Sequence, residues 1–408
     1  MRFDWWLAGV CFARTFTYTV TMTYAAALPL LQLDWNMTAS KAGSIASAHQ
    51  IGYAISLFVF SSLADRVGPK RLYLGSALAT GIFSLCFALF AQGYVSALLL
   101  YTLIALALGG TYTTGLMILA DQYPVQRRGM ATGCFIASTS LGYILSLVLS
   151  GVAIPLGGYR LSFFVTCICP VLGAFLSWIT LYNTRVSQPA PRSKEHSFRT
   201  EVVNNRPAVL LIGGYTCHNW ELLGMWAWTP AFLASWLALS GTGALSSAAG
   251  FGSYVAASFH MAGLVASFTM GSLSDRLGRA RVIMILSVIS TACSFIFGWS
   301  IGWPLVIVLA IGFVYAFSSL GDSPVLSAAL TEVVSPAYLG TAFGIRSLLG
   351  FGAGAISPFV FGVILDWANP VKMDGGYYSN WGWSFVMLGL VGGCAFLAAT
   401  RLRKIYKS

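Results

Sequence analysis

Apolar runs of about 20 residues or more recur twelve times along this 408-residue chain. They begin near Trp5, Ala42, Leu72, Val95, Met130, Leu161, Pro207, Ala248, Val282, Pro304, Gly340 and Gly382. Each is long enough to cross roughly 30 Å of hydrocarbon as an α-helix, which satisfies its own backbone polar groups without water. Composition agrees. The chain is 57% hydrophobic and 9% charged, whereas soluble domains carry about 25% charged residues. An all-α integral membrane fold with twelve transmembrane helices follows.

The net charge of +11 is arranged by topology rather than by a nucleic-acid surface. With both termini cytoplasmic, eighteen of the 23 Lys and Arg residues fall on the cytoplasmic side, and only Lys41, Arg160 and Lys372 fall outside. That asymmetry is the positive-inside rule. Arg14 and Arg346 lie within spans. Each is a functional-site candidate, because an arginine at the bilayer centre costs roughly 2.5–3.5 kcal/mol on insertion scales. The competing reading is that they only staple helices together.

All eight cysteines fall inside apolar runs, and no CxxC pair occurs, which argues against disulfide and metal frameworks. The first run is too long and too polar for a cleaved signal peptide. No Walker P-loop and no Ser/His/Asp or Cys/His pattern is present, so neither ATP-driven work nor enzymatic catalysis is expected. No cofactor or bound metal is expected either.

The chain repeats itself. Ser61-Ser62-Leu63-Ala64-Asp65-Arg66-Val67-Gly68-Pro69-Lys70-Arg71 follows the second span, and Gly271-Ser272-Leu273-Ser274-Asp275-Arg276-Leu277-Gly278-Arg279-Ala280-Arg281 follows the eighth. A second echo pairs Asp121, Pro124 and Gly129 with Glu332, Pro336 and Gly340, and a third pairs Tyr159 and Phe163 with Trp383 and Phe385. A polar stretch from Asn183 to Arg206, with five basic residues and two prolines, separates the copies. The expected organisation is a six-helix bundle over 1–182, a cytoplasmic linker over 183–206, and a second bundle over 207–408. Parallel six-helix repeats imply a pseudo-twofold axis along the membrane normal.

These residues resemble the major facilitator superfamily, whose signature after the second span reads G-x-L-a-D-R-x-G-R-[KR]. The second copy matches at Gly271, Leu273, Asp275, Arg276, Gly278 and Arg279 and departs at Ala280; the first has Ser61 and Pro69 where the family has Gly and Arg. The resemblance covers the whole chain. It implies a monomeric secondary transporter of a bacterial inner membrane, with a central cavity between two rocking bundles. It also implies a gating role for Asp65, Arg66, Asp275 and Arg276, with Arg128 as a partner in that network. The place equivalent to Arg128 in the second half is Leu339, so the latch is expected to be asymmetric. A carboxylate near a helix N-terminus is favoured by the helix dipole, which suits it to latch one access state.

Polar residues concentrate in the spans nearest such a cavity. In the first span Arg14, Thr17, Tyr18, Thr21 and Tyr24 recur at helical spacing on one face. The fourth span offers Tyr112 between threonines; the seventh offers Tyr215, His218, Asn219, Glu221 and Trp226; the tenth offers Asp322; the eleventh offers Arg346. Arginine stays charged, and its planar fork suits carboxylate or phosphate. Burial disfavours the charged form of a carboxyl, so Glu221 and Asp322 are proton-carrier candidates, as is the His218 imidazole. The substrate-binding set expected from this is Arg14, Thr17, Tyr18, Thr21, Tyr112, His218, Trp226 and Arg346. An alternative is charge neutrality, with Asp322 paired to Arg346 and Glu221 to Arg14.

The expected activity is proton-coupled uptake of a small organic anion of the carboxylate type. The alternatives are proton-driven export of drugs or amphipathic compounds and, on the His218/Glu221 spacing, of a divalent metal. The fifth span lacks the Gly-Pro-x-x-Gly-Gly signature of drug exporters in the superfamily, reading Leu141-Gly142-Tyr143-Ile144. The expected partners are a small molecule, protons and the lipid bilayer.

Overall fold

A computed structural model describes residues 4–186, 202–241, 244–371 and 377–407; the side chains of residues 61, 62, 65, 125, 126, 129, 336, 337, 340, 406 and 407 also lie outside it. Most of the linker and the side chain of Asp65 are therefore outside the described residues. The elements are α1 (Trp5–Thr17), α2 (Thr23–Asp34), α3 (Ala39–Val67), α4 (Pro69–Phe90), α5 (Tyr94–Gln122), α6 (Val125–Leu181), α7 (Arg206–Leu239), α8 (Leu245–Leu277), α9 (Arg279–Phe297), α10 (Leu305–Val333), α11 (Pro336–Ala368), α12 (Gly382–Gly392) and α13 (Cys394–Lys407). No strand occurs among the described residues.

Nine of these segments are long and apolar enough to cross a membrane. One, Met130–Leu181, runs 52 residues, about twice the length a single crossing needs. It bends at Gly157 and Gly158, and Gly158 takes φ +66°, a left-handed conformation that favours glycine. The first apolar run is broken by a 3-10 turn over Tyr18–Val20, and α3 carries Lys41, His49 and Arg66. Length and polarity thus remove two segments from the apolar set, and the arrangement is consistent with twelve crossings. Phe58, Leu99, Val306 and Leu390 stand with well over half their surface exposed, as suits a face solvated by lipid rather than water.

The described residues fall into two compact units. One holds those of Met1–Met37, Ser44–Ala190 and Gly243–Ala257; the other holds those of Thr38–Gly43, Pro191–Thr242 and Ser258–Ser408. In the first, Leu7, Val10, Tyr73, Ile118, Ala131, Phe135 and Leu181 form a core drawn from α1, α4, α5 and α6. The second repeats it with Leu211, Ile283, Leu330, Ala342 and Leu402, from α7, α9, α10, α11 and α13.

Local signals explain where the helices begin. The Asp4 side chain accepts the Leu7 N–H at 3.0 Å, and the Asn205 side chain accepts that of Ala208 at 3.2 Å. Both are N-caps, and each also ties its helix to the end of another, α1 to α5 and α7 to α10. Tyr123 donates its hydroxyl to Asp4 at 2.6 Å, and Asn205 donates to the Val333 carbonyl at 2.7 Å. The two signature loops turn on Gly68 and Gly278, at φ/ψ of 94/136° and 91/136°. Two loops 210 residues apart in sequence share one backbone conformation, and only glycine tolerates it.

In the second unit the first turn of α3 is held by Asp366 at the end of α11. Its carboxylate accepts the Ala39 and Ser40 N–H groups, each at 2.8 Å, and the Ser40 hydroxyl at 2.6 Å. Backbones touch nearby: a Cβ on Gly362 would meet the Ala39 carbonyl at 2.3 Å.

Candidate substrate and coupling site

Arg14 occupies the last turn of α1 and is 1% exposed. Its Nε donates to the Thr139 hydroxyl at 2.9 Å and its Nη2 to Tyr18 at 3.0 Å. Tyr18 in turn shares a 3.0 Å hydrogen bond with Tyr53. The guanidinium carbon lies 4.0 Å from the ring centre of Phe135, 4.3 Å from Tyr18 and 5.3 Å from Tyr112. Nη1 is buried without a hydrogen-bond partner, and no carboxylate pairs with Arg14 among the described residues.

Arg346, in α11 and 8% exposed, is held the same way in the second unit. Its guanidinium carbon lies 3.8 Å from the Tyr215 ring centre and 4.8 Å from that of Phe343. Nη1 donates to the Ser327 hydroxyl at 2.7 Å, and Nε has no partner. The expected pairing with Asp322 is not what the structure has. Asp322 faces His218 instead, with Nδ1 and Oδ1 2.8 Å apart but off the hydrogen-bonding line, and His218 Nε2 is unpartnered. Glu221 accepts the Ser290 hydroxyl, within its own unit, at 2.8 Å. Its other oxygen packs so closely on Gly392 that a Cβ there would meet it at 2.1 Å.

The first span is not one continuous α-helix: a 3-10 turn over Tyr18–Val20 interrupts the 3.6-residue period between Arg14 and Tyr24, and all five stripe residues are buried. Thr17 donates back to the Ala13 carbonyl and fills the space over Gly173. Thr21 is 8% exposed with its hydroxyl unpartnered. Trp226 stacks on His260 at 3.6 Å between ring centres. Tyr18 and Tyr112 join Arg14, while Thr17 packs over Gly173 further along α6. Phe135, Thr139, Tyr53 and Ser327 complete the two arginine sites. Among these Phe135 carried a sequence signal: it lies six residues after Gly129, as Arg346 lies six after Gly340.

At the signature loops, Asp275 pairs with Arg279 at 2.5 Å, and Arg279 reaches Glu332 at 3.0 Å. Arg66 and Arg276 are exposed. In the first loop Pro69 stands in place of Arg279, so that tie is absent. Lys70 instead donates to the Tyr182 and Thr184 carbonyls at 2.9 Å each. Arg128 donates to the Tyr123 carbonyl at 2.9 Å and caps the end of α5. No group of three or more metal-ligating side chains is assembled among the described residues.

Helices of membrane length in two like-built units, each with a buried charge at a polar site, define a multi-pass membrane protein. The sequence profile of the Major Facilitator Superfamily matches residues 10–259 and 243–407, and the chain belongs to that family. It is 26% identical over 362 residues to the cis,cis-muconate transport protein of Acinetobacter baylyi, covering 84% of this chain and 83% of the relative. It is 24% identical over 416 residues to the 4-hydroxybenzoate transporter PcaK of Pseudomonas putida, covering 94% and 88%. A solved bacterial homologue of the human lysosomal transporter Spinster, inward-facing and unoccupied, shares the fold with a TM-score of 0.79 at 16% identity, covering 98% and 97%. The protein is a transporter of a small molecule and not an enzyme.

Proposed function

We propose that the protein takes up a small organic anion of the carboxylate type together with protons, by alternating access of bundles 1–182 and 207–408 about the linker 183–206. One observation carries this reading. Arg14 and Arg346 are buried, hydrogen-bonded to hydroxyls and faced by rings, with no carboxylate partner among the described residues. A buried charge without a counterion is held at a penalty of several kcal/mol. An incoming carboxylate removes that penalty, and the unpartnered Nη1 of Arg14 and Nε of Arg346 are the donors left for it. The muconate and 4-hydroxybenzoate relatives support the assignment, since both names denote carboxylates.

Proton coupling is assigned to His218 and Asp322, a buried imidazole and carboxyl in direct contact. Glu221 is the second buried carboxyl available. Tyr18, Tyr112, Thr21 and Trp226 form the remaining substrate set, and Thr17 supports it from behind. Asp65, Arg66, Arg128, Asp275 and Arg276 gate the cytoplasmic side. The protein works as a monomer in a bacterial inner membrane with both termini cytoplasmic.

The test is uptake of labelled 4-hydroxybenzoate, muconate and nicotinate into proteoliposomes with and without an inward proton gradient. Accumulation that requires the gradient and is lost in Arg14→Gln is expected. Uptake indifferent to the gradient refutes the coupling, and uptake unchanged in Arg14→Gln refutes the anion site.

A further inference from the structure

We infer that Phe135 and Tyr215 are the positioning residues of the two buried arginines, through one contact that both halves contain with its partners exchanged. The inference rests on the anion reading above for its functional part. Phe135 and Arg346 each lie six residues after the paired glycines Gly129 and Gly340. Arg14 and Tyr215 each lie ten residues after the helix caps Asp4 and Asn205. Position for position, Arg14 against Phe135 is therefore the contact of Tyr215 against Arg346. The first half puts the cation on its first span (α1) and the ring on its fifth (the first part of α6); the second half puts the ring on its first span (α7) and the cation on its fifth (α11). The separations are 4.0 and 3.8 Å, both within cation–π range.

Both rings are set by the backbone behind them. A Cβ on Gly115 would meet Phe135 Cζ at 2.3 Å, and one on Gly350 would meet the Tyr215 ring at 2.7 Å. Phe135 is fully buried and Tyr215 is 6% exposed, so neither ring has room to turn away. A carboxylate could orient a guanidinium as well, but it would also cancel the charge. A ring covers one face of the plane, fixes the direction of the edge N–H groups, and leaves the charge uncompensated for an arriving anion. Phe135 and Tyr215 thus act on substrate through the arginines without touching it.

The test uses the purified full-length protein with Arg14→Gln, Phe135→Leu, their double variant, and Phe135→Tyr. Thermal unfolding is read for all four, and affinity for 4-hydroxybenzoate, muconate and nicotinate for each. The melting shift of the double variant should differ clearly from the sum of the two single shifts, since contacting residues do not add. Phe135→Leu should weaken acid binding about tenfold, the scale of one desolvated cation–π contact. Phe135→Tyr should restore binding to within about twofold. Melting shifts that simply add, or equal binding by the Leu and Tyr variants, overturn the inference. If Arg14→Gln binds like the parent, or the parent binds none of the acids, the anion reading fails alone, and the melting cycle decides the contact.

Discussion

Replacing Gly278 by alanine isolates the cost of one backbone conformation. At φ +91° and ψ 136° the residue sits where L side chains are strained, and a Cβ there would meet nothing within 4 Å. Packing therefore contributes no penalty, and the whole effect is conformational, about 1–3 kcal/mol for a sparsely populated backbone region. Gly213, inside α7, supplies the control: its Cβ would also meet nothing within 4 Å, but its backbone is helical. There the same substitution should gain about 0.8–1 kcal/mol of helix propensity. One chemical change is thus expected to act with opposite sign at two open positions. For a domain of about 200 residues, roughly 2–4 °C accompanies each kcal/mol. Thermal unfolding of the purified protein should fall by about 2–12 °C for Gly278→Ala and rise by about 2–4 °C for Gly213→Ala. Gly68→Ala, at φ +94° and equally open, should repeat the Gly278 result. A Gly278→Ala protein that melts with or above the parent refutes the reasoning, because the loop would then not be held in that conformation.

Gly115→Ala drives a methyl against Phe135 and should lower anion affinity without changing any charge, at an overpacking cost of about 1–3 kcal/mol seen in melting. Asp322→Asn keeps the shape facing His218 but removes its carboxylate, so proton-driven accumulation should be lost while exchange of substrate across a vesicle without a gradient persists. The Asp4 carboxyl is held below its ordinary value, first by the Leu7 N–H and then by the Tyr123 hydroxyl. A depressed folded-state value means stability that is present above pH about 3.8 and lost as pH falls through the lower folded value. Asp4→Asn should flatten that acid limb of the melting profile. Its effect at neutral pH should sit at the low end of the 0.5–2 kcal/mol range for a lost cap, because the group is exposed to solvent.

The architecture was readable because lipid imposes simple rules. Span length, charge asymmetry and the doubled signature each follow from constraints local in sequence, and Gly68 and Gly278 adopt the same turn. The burial of Arg14 and Arg346 was readable for the same reason. Their partners were not. Opposite formal charge on a neighbouring helix suggested Asp322 for Arg346, but the pairing depends on which way each helix face turns, and Asp322 faces His218. The stripe from Arg14 to Tyr24 presumes an unbroken α-helix, whereas a three-residue 3-10 turn interrupts it at Tyr18–Val20. The hydroxyl that Ser290 of α9 donates to Glu221 has no pattern in the sequence to announce it. Rings as guanidinium partners are not legible in the sequence, because an aromatic residue in an apolar span carries no signal of its own. Phe135 stands out only when the two halves are set in register.

The exchanged contact also constrains ancestry. If the halves descend from one duplicated six-helix segment, both began with the same pair, either a cation on the first helix and a ring on the fifth or the reverse. Reaching the present arrangement required two replacements in one half. Either replacement made alone would set two guanidinium groups about 4 Å apart, a repulsion of about 4 kcal/mol even near a protein surface, or leave two rings and no charge. The two sites are therefore bound to change together. Among relatives, the first-helix and fifth-helix positions of each half should co-vary as cation with ring, and a lineage that has lost the cation in one half should have been released from keeping the ring as well.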